Sequence, residues 1–192
     1  MSRRCDWAEH DELLRDYHDS EWGKPLHGDN ALFEFLCLEG AQAGLSWRTV
    51  LTRREHYRRC FLGFDITHCA RLSDAALEKI LLDPGVIRNR LKVYSVRKNA
   101  EASLRVIEEF GSLDRYLWSF VDHAPLDHRP ATRADVPAFT PVSDRMSKAL
   151  KKRGYSFVGS TICYAFLQAC GMVNDHLADC ISRKKIQSMA RN

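Results

Sequence analysis

An all-α fold is what this sequence predicts, and three observations carry that expectation. Apolar residues recur at helical spacing along nearly the whole chain. No segment alternates apolar and polar residues with the two-residue period of a half-buried strand. The breaks in the pattern fall at capping and turn residues, as at Asp29-Asn30, Ser73 and Asp83-Pro84-Gly85. With 192 residues, 45% of them hydrophobic, the chain can bury one core. A single domain over residues 1–181 is therefore expected, followed by a basic, disordered tail over residues 182–192.

The elements follow in order. Leu32, Phe33, Leu36 and Cys37 share one helical face, with Asp29-Asn30 placed to cap it. Trp47, Val50, Leu51, Tyr57, Cys60 and Phe61 predict a second helix, studded with Arg53, Arg54, Arg58 and Arg59. Ser73 caps a third, carrying Leu77, Ile80 and Leu81, which Asp83-Pro84-Gly85 ends. A long helix runs from about Arg88 to Phe110, and a short apolar one from Leu113 to Val121. Residues 123–141 hold four of the six prolines and show no clean period, which predicts an ordered surface loop. Ser143 then starts another helix.

The formal charge of +4 suits a nucleic-acid partner, although many proteins that bind none carry as much. The first residues lead into no apolar signal-peptide core, and no stretch approaches the roughly eighteen apolar residues of a membrane helix. A soluble, cytoplasmic protein is expected. Seven cysteines is an odd number, so the thiols are expected to be reduced and to serve packing, metal or chemistry.

Two pairs of metal-ligand types sit at opposite ends of the chain: Cys5 with His18, and His176 with Cys180. The latter two are four residues apart, which on a helix puts both on one face. A Cys2His2 set is a closed tetrahedral zinc site, and one joining the first and last segments would supply folding energy rather than chemistry. The alternative, a surface thiol at Cys5 and a capped helix histidine at His176, stays open at this point. Cys163 and Cys170 are seven residues apart on an apolar helix, which is core spacing, and Cys37, Cys60 and Cys69 look similarly packed.

In the segment from Cys37 to Trp47, Glu39 is an acid inside an apolar helix that ends in glycines and a tryptophan. A buried carboxylate needs a reason, because an uncompensated charge away from water is costly. It caps a neighbouring helix, pairs with an arginine, or does chemistry. Trp7, Tyr17 and Trp22 lie close in sequence to Cys5 and His18, so a metal would pin three aromatics in one region. Aromatics with one acid make a base-binding pocket, or simply core.

Residues 148–171 read as helix, glycine-bounded turn, helix. Gly154 bounds the turn, and Gly159 lets a ligand approach the backbone where the next amides open a helix, a place that favours phosphate. With Lys151, Lys152 and Arg153 just upstream, the pattern fits a helix-hairpin-helix that grips a DNA backbone without reading bases. An ordinary helix pair with a solvated basic end has nearly the same sequence.

Taken together, these residues closely resemble the 3-methyladenine DNA glycosylase I family, from about Arg4 to Cys180. The likeness is carried by Arg4-Cys5-Asp6-Trp7, by Tyr17 through Gly23, by Leu38-Glu39-Gly40 through Ser46-Trp47, and by Leu117 through Val121. It continues in Lys151-Lys152-Arg153-Gly154, Phe157-Val158-Gly159 and Val173-Asn174-Asp175-His176. The resemblance implies a helix-hairpin-helix glycosylase fold with one structural Zn2+ per chain, held by Cys5, His18, His176 and Cys180. It also implies a base pocket formed by Glu39, Tyr17, Trp47 and Trp7, with a monomer acting on alkylated double-stranded DNA and releasing 3-methyladenine. One position departs: the family tends to carry a second tyrosine where this chain has Leu14. Two other classes are compatible with parts of the sequence, a non-catalytic zinc-dependent DNA-binding module and a zinc hydrolase with an open metal position.

Overall fold

From the N-terminus, a 3-10 turn at Asp6–Ala8 leads into α1 (Glu12–Ser20), whose first turn is capped by Asp11 accepting from the Leu14 amide at 3.0 Å. The computed structural model describes residues 3–189, with side chains as far as residue 186. Helix α2 (Asp29–Gln42) follows, and every residue from Leu32 to Ala41 is buried. Its expected caps work elsewhere: Gly28 holds the cap position, Asp29 Oδ1 accepts from the Asp114 amide at 2.9 Å, and Asn30 Oδ1 accepts from the Ile66 amide at 3.2 Å.

The helix expected across Trp47 to Phe61 is two helices, α3 (Trp47–Leu51) and α4 (Arg54–Cys60). Between them the Thr52 hydroxyl bonds back to the carbonyls of Arg48 and Thr49 at 3.1 and 3.0 Å, the kind of side-chain competition that interrupts a helix. A further short helix not anticipated from the apolar period, α5 (Ile66–Ala70), is capped by Asp65. Then α6 (Asp74–Leu81) starts at Ser73 as expected, and α7 (Arg90–Phe110) starts two residues late because Asn89 is the cap, accepting from the Lys92 amide at 3.1 Å. Gly111, left-handed at φ 87°, ends α7, and α8 (Leu113–Trp118) continues into a 3-10 turn at Ser119–Val121.

The proline-rich stretch is ordered. It contributes β1 (Leu126–Asp127), which pairs in parallel with β2 (Val173–Asn174), and a 3-10 turn at Arg133–Asp135. Helix α9 (Pro141–Lys152) begins earlier than expected, because Thr140 is the cap and Ser143 its reciprocal partner in the capping box. After a turn comes α10 (Ser160–Ala169). The basic segment expected to be a disordered tail forms α11 (Ile181–Met189), and residues 190–192 lie outside the described residues. Arg183 is buried, donates to the His176 carbonyl at 2.7 Å and pairs with Asp127; Ile186 is buried beside it. These contacts explain why the segment is not a solvated tail.

A helix buried on all sides must be covered on all sides. Around α2 pack α3, α7, α8 and α10, so the middle of the molecule is a helical bundle with α2 as its axis. At Gly40, one residue past Glu39, a Cβ would stand 3.1 Å from Phe157 Cβ and 3.3 Å from the Phe157 carbonyl, so α2 touches the turn between α9 and α10 with no side chain between them. Phe157 is left-handed there, at φ 57°. No helix among the described residues is long and apolar enough to cross a membrane.

Candidate active site and metal centre

The two ends of the chain meet. Cys5, His18, His176 and Cys180 are all buried, and their ligand atoms lie within 4.8 Å of one another. Cys180 Sγ is 3.4 Å from both His18 Nε2 and His176 Nδ1, and Cys5 Sγ is 3.7 Å from His176 Nδ1. His176 and Cys180 do not share a helix, as their spacing first indicated; they bracket a turn after β2, and Cys180 bridges to Arg3.

The four residues are of kinds that could hold a metal ion, and the groups around them are arranged to orient the rings. His18 Nδ1 stands 2.8 Å from Asp19, which Arg4 holds in turn at 2.9 Å, and His176 Nε2 donates to the Trp22 carbonyl at 3.1 Å. Each outward ring nitrogen has its partner, which leaves the inward nitrogen free to ligate. Cys180 is held well below the usual thiol range, first by the hydrogen bond from Cys5 and then by His176 and His18; Cys5 is pushed up by that bond and by burial. Gly23, at φ 78°, is needed here, since a Cβ would come within 2.9 Å of His176 Nε2.

Trp7 links this centre to a cavity. Its ring packs edge-on to His18 and Trp22, with centroids 5.3 and 5.1 Å away, and lines a space of about 480 Å3 together with Leu14, Tyr17, Glu39 and Trp47. The volume is in the range of small-ligand sites. Tyr17 comes from α1 and Trp47 from the first residue of α3, with ring centroids 5.5 Å apart. The Tyr17 hydroxyl and Trp47 Nε1 are buried with no hydrogen-bond partner among the described residues. Burial and the nearby Glu39 push the Tyr17 hydroxyl up, so it stays a donor.

Glu39 is 4% exposed and forms no ion pair or hydrogen bond among the described residues. Burial alone pushes its carboxyl up to about 8. Two orphan donors and one carboxyl short of a partner around one aromatic slot are what a polar, flat ligand would satisfy.

The turn between α9 and α10 divides the residues expected on DNA. Lys151 and Lys152 are exposed, Gly154 is left-handed at φ 93°, and Gly159 caps α10 with no side-chain bond and nothing within 4 Å of where a Cβ would be. No side chain caps the first amides of α10. Arg153 departs from the expectation: it pairs with Glu109 at 2.6 and 2.9 Å, donates to the Tyr116 hydroxyl at 3.1 Å and lies over the Phe110 and Tyr116 rings. Its guanidinium buttresses the turn instead of being free for a phosphate.

The cavity also takes in residues that sequence patterns did not single out, among them Gln42, Arg48, Arg133 and Gln168. Gln42 ends α2, which also carries Asp29, Asn30, Glu34 and Glu39, Gln168 stands late in the mainly apolar α10, and Arg133 is in the proline-rich loop where no period marks a face. The one available signal was Gln168, a polar residue late in a mainly apolar helix.

The sequence model described as methyladenine glycosylase matches residues 7–184. The chain belongs to the methyladenine glycosylase family. Among relatives, it is 48% identical to DNA-3-methyladenine glycosylase 1 of Escherichia coli strain K12 over 92% of this chain and 95% of that protein. It is 45% identical to DNA-3-methyladenine glycosylase of Haemophilus influenzae, over 94% and 97% of the two chains. A crystal structure of 3-methyladenine DNA glycosylase I is similar with a TM-score of 0.89 at 48% identity, covering 93% of this chain and 98% of that one. A Staphylococcus aureus structure concerned with 3-methyladenine recognition by that enzyme reaches 0.91 at 32% identity, covering 94% and 96%. Over 93–94% of its length the chain thus shares the fold of these two solved structures.

Proposed function

We propose that this protein is a DNA repair glycosylase that flips an alkylated nucleotide out of the double helix and hydrolytically releases 3-methyladenine. The observation that carries this reading is the buried, partnerless Glu39 carboxyl in an aromatic slot with two orphan donors. Family membership and relatives named for 3-methyladenine support it.

Methylation makes the nucleoside cationic, so the base is already a good leaving group and little acid catalysis is needed. The base stacks against Trp47 and Tyr17, with Trp7 and Leu14 closing the slot. Stacking on a cation holds substrate as well as transition state, and equal stabilisation adds nothing to turnover. Glu39 is different. A carboxyl held near 8 by burial alone gives up its proton to solvent when a cationic base enters, and the carboxylate then accepts hydrogen bonds from the base that it keeps as positive charge moves to the sugar. Asp175 has no free oxygen for a sugar cation or water: it is buried and receives Tyr164, Gln168 and His128. Water then attacks C1′ without a dedicated base.

Cys5, His18, His176 and Cys180 would hold one Zn2+, which supplies folding energy and pins Trp7 and Trp22 beside the slot. Four buried ligands leave no open position for a zinc hydrolase. The α9–turn–α10 unit acts as a helix-hairpin-helix, with Lys151, Lys152, Gly154, Gly159 and the free amides of α10 on a phosphate. A non-catalytic DNA-binding module would have no need of the partnerless carboxyl.

The test is incubation with methylated duplex DNA and identification of released bases. Free 3-methyladenine from wild type, and none from a protein that still binds the DNA, separate enzyme from binding module. Elemental analysis should give one zinc per chain, and Cys180→Ser should lower the melting temperature; neither occurring rules the zinc out.

A further inference from the structure

A smaller cavity of about 170 Å3 shares a wall with the base cavity, and the half-buried Gln168 of α10 lines both. Its amide nitrogen donates to Asp175 Oδ2 at 2.7 Å. Asp175 is 3% exposed, accepts also from the Tyr164 hydroxyl, and stands 3.0 Å from His128 Nδ1. A carboxylate accepts hydrogen bonds and donates none, so it can be matched only by the NH2 end of the Gln168 amide. A flipped amide would press two acceptor oxygens together in a buried place. The carbonyl Oε1 is therefore the end turned away from Asp175, and it takes no hydrogen bond among the described residues.

We propose that Gln168 Oε1 is a second hydrogen-bond acceptor for the flipped base, beside Glu39, and that Asp175 is the positioning residue that fixes its polarity. The proposal deepens the base-pocket assignment and rests on it. An exocyclic amine at the purine 6-position carries two N–H donors, whereas a 6-oxo group offers only lone pairs. Glu39 alone is an ambiguous reader of that difference, because toward a neutral base its carboxyl, pushed up to about 8, keeps its proton and can donate as well as accept. Gln168 is not ambiguous. Its orientation is set by Asp175, so its exposed end accepts and nothing else. A site built to pair a donor rejects an analogue that lacks it far more strongly than an apolar wall does. Gln168 is thus assigned as a specificity-determining residue that favours 6-amino over 6-oxo purines.

The test is titration with free 3-methyladenine and with its 6-oxo counterpart, 3-methylhypoxanthine, followed by tryptophan fluorescence. Wild type should prefer the amino base. In Gln168→Leu and the closer-shaped Gln168→Met, affinity for the amino base should fall about tenfold, roughly the loss of one such hydrogen bond. Affinity for the oxo base should not fall, so the preference narrows by the same factor. A folded variant with the wild-type preference overturns the proposal. Wild type that binds neither base overturns instead the pocket assignment beneath it. Should both variants fail to fold, the wild-type protein carries the test: the Gln168 side-chain carbonyl carbon resonance should move on addition of 3-methyladenine, and an unmoved resonance overturns the proposal.

Discussion

Helix α2 buries two glutamates five residues apart, and the protein treats them in opposite ways. Glu34 receives Arg54 at 2.6 Å and Arg58 at 2.9 Å, and Arg54 reaches on to Glu21 at 2.6 Å, so the charge is balanced where it sits. Glu39 has no counter-charge, and burial lifts its carboxyl to about 8. A buried acid can be matched inside the protein or left for something from outside to match. The first choice makes a brace and the second makes a site.

The comparison can be broken most forcefully at Glu34. Glu34→Gln leaves Arg54 and Arg58 without their shared carboxylate, and removing one partner of a buried pair costs about 3 kcal/mol, at the low end because Arg58 reaches solvent. A fall in melting temperature of about 10 °C is expected for a domain of this size. Base release by the folded protein should be unchanged. A stable Glu34→Gln with impaired release would reverse the two roles.

Glu39→Gln should do the converse. Release of 3-methyladenine is expected to fall about 100-fold, the usual scale for one electrostatic group aimed at reacting atoms, in a protein that melts no lower than wild type at pH 8. Near-wild-type release would demote Glu39 to a structural residue.

The pH dependence sharpens the contrast. Glu39 holds its proton more tightly folded than unfolded, so between the ordinary value of 4.5 and about 8 the folded state binds more protons. Stability then falls as pH rises through that window, by at most about 1.4 kcal/mol per pH unit from this group. Melting curves of wild type and Glu39→Gln should diverge steadily from pH 5 to 8, with the variant increasingly the more stable, and run parallel above. Curves that stay parallel throughout would mean the carboxyl is ionised and matched.

The smallest effect concerns the slot wall. Leu14 lines the cavity, where it offers apolar contact without a ring. Leu14→Tyr should lower the dissociation constant for 3-methyladenine by at most about tenfold, because a stacking partner is worth roughly 1–3 kcal/mol and only part is recovered. Turnover should rise less than affinity. Equal affinities would show that the Leu14 side of the slot does not meet the base.

Much of this was legible because the signals are local or chemically scarce. An acid inside an apolar run, four ligands of the right kinds and aromatics near them marked Glu39, Cys5, His18, His176, Cys180, Trp7, Tyr17 and Trp47 as candidates, the family resemblance chose the site reading over the packing one, and the structure brings each group together. The expectations that the structure corrects share a cause, which is that side chains act across the fold. Asp29 and Asn30 bond to α8 and α5 instead of to their own helix. Arg153 turns inward to Glu109, and Arg183 ties a basic segment to Asp127. Gln168 shows only as one polar letter in α10, since its role depends on Asp175 beyond the end of that helix.

The contact between Gly40 and Phe157 has a mechanical consequence. Helix and turn meet closely, so the backbone of α2 beside Glu39 and the turn before α10 have little room to shift against each other. If a phosphate sits at the turn and a base beside Glu39, the protein behaves as a fixed-jaw gauge. The duplex must then supply the bending, and the few kcal/mol of unstacking fall on the nucleic acid. Lesions that already loosen the stack would reach the slot soonest, which makes the stiffness of one glycine contact a first filter on damage, applied before any atom of the base is touched.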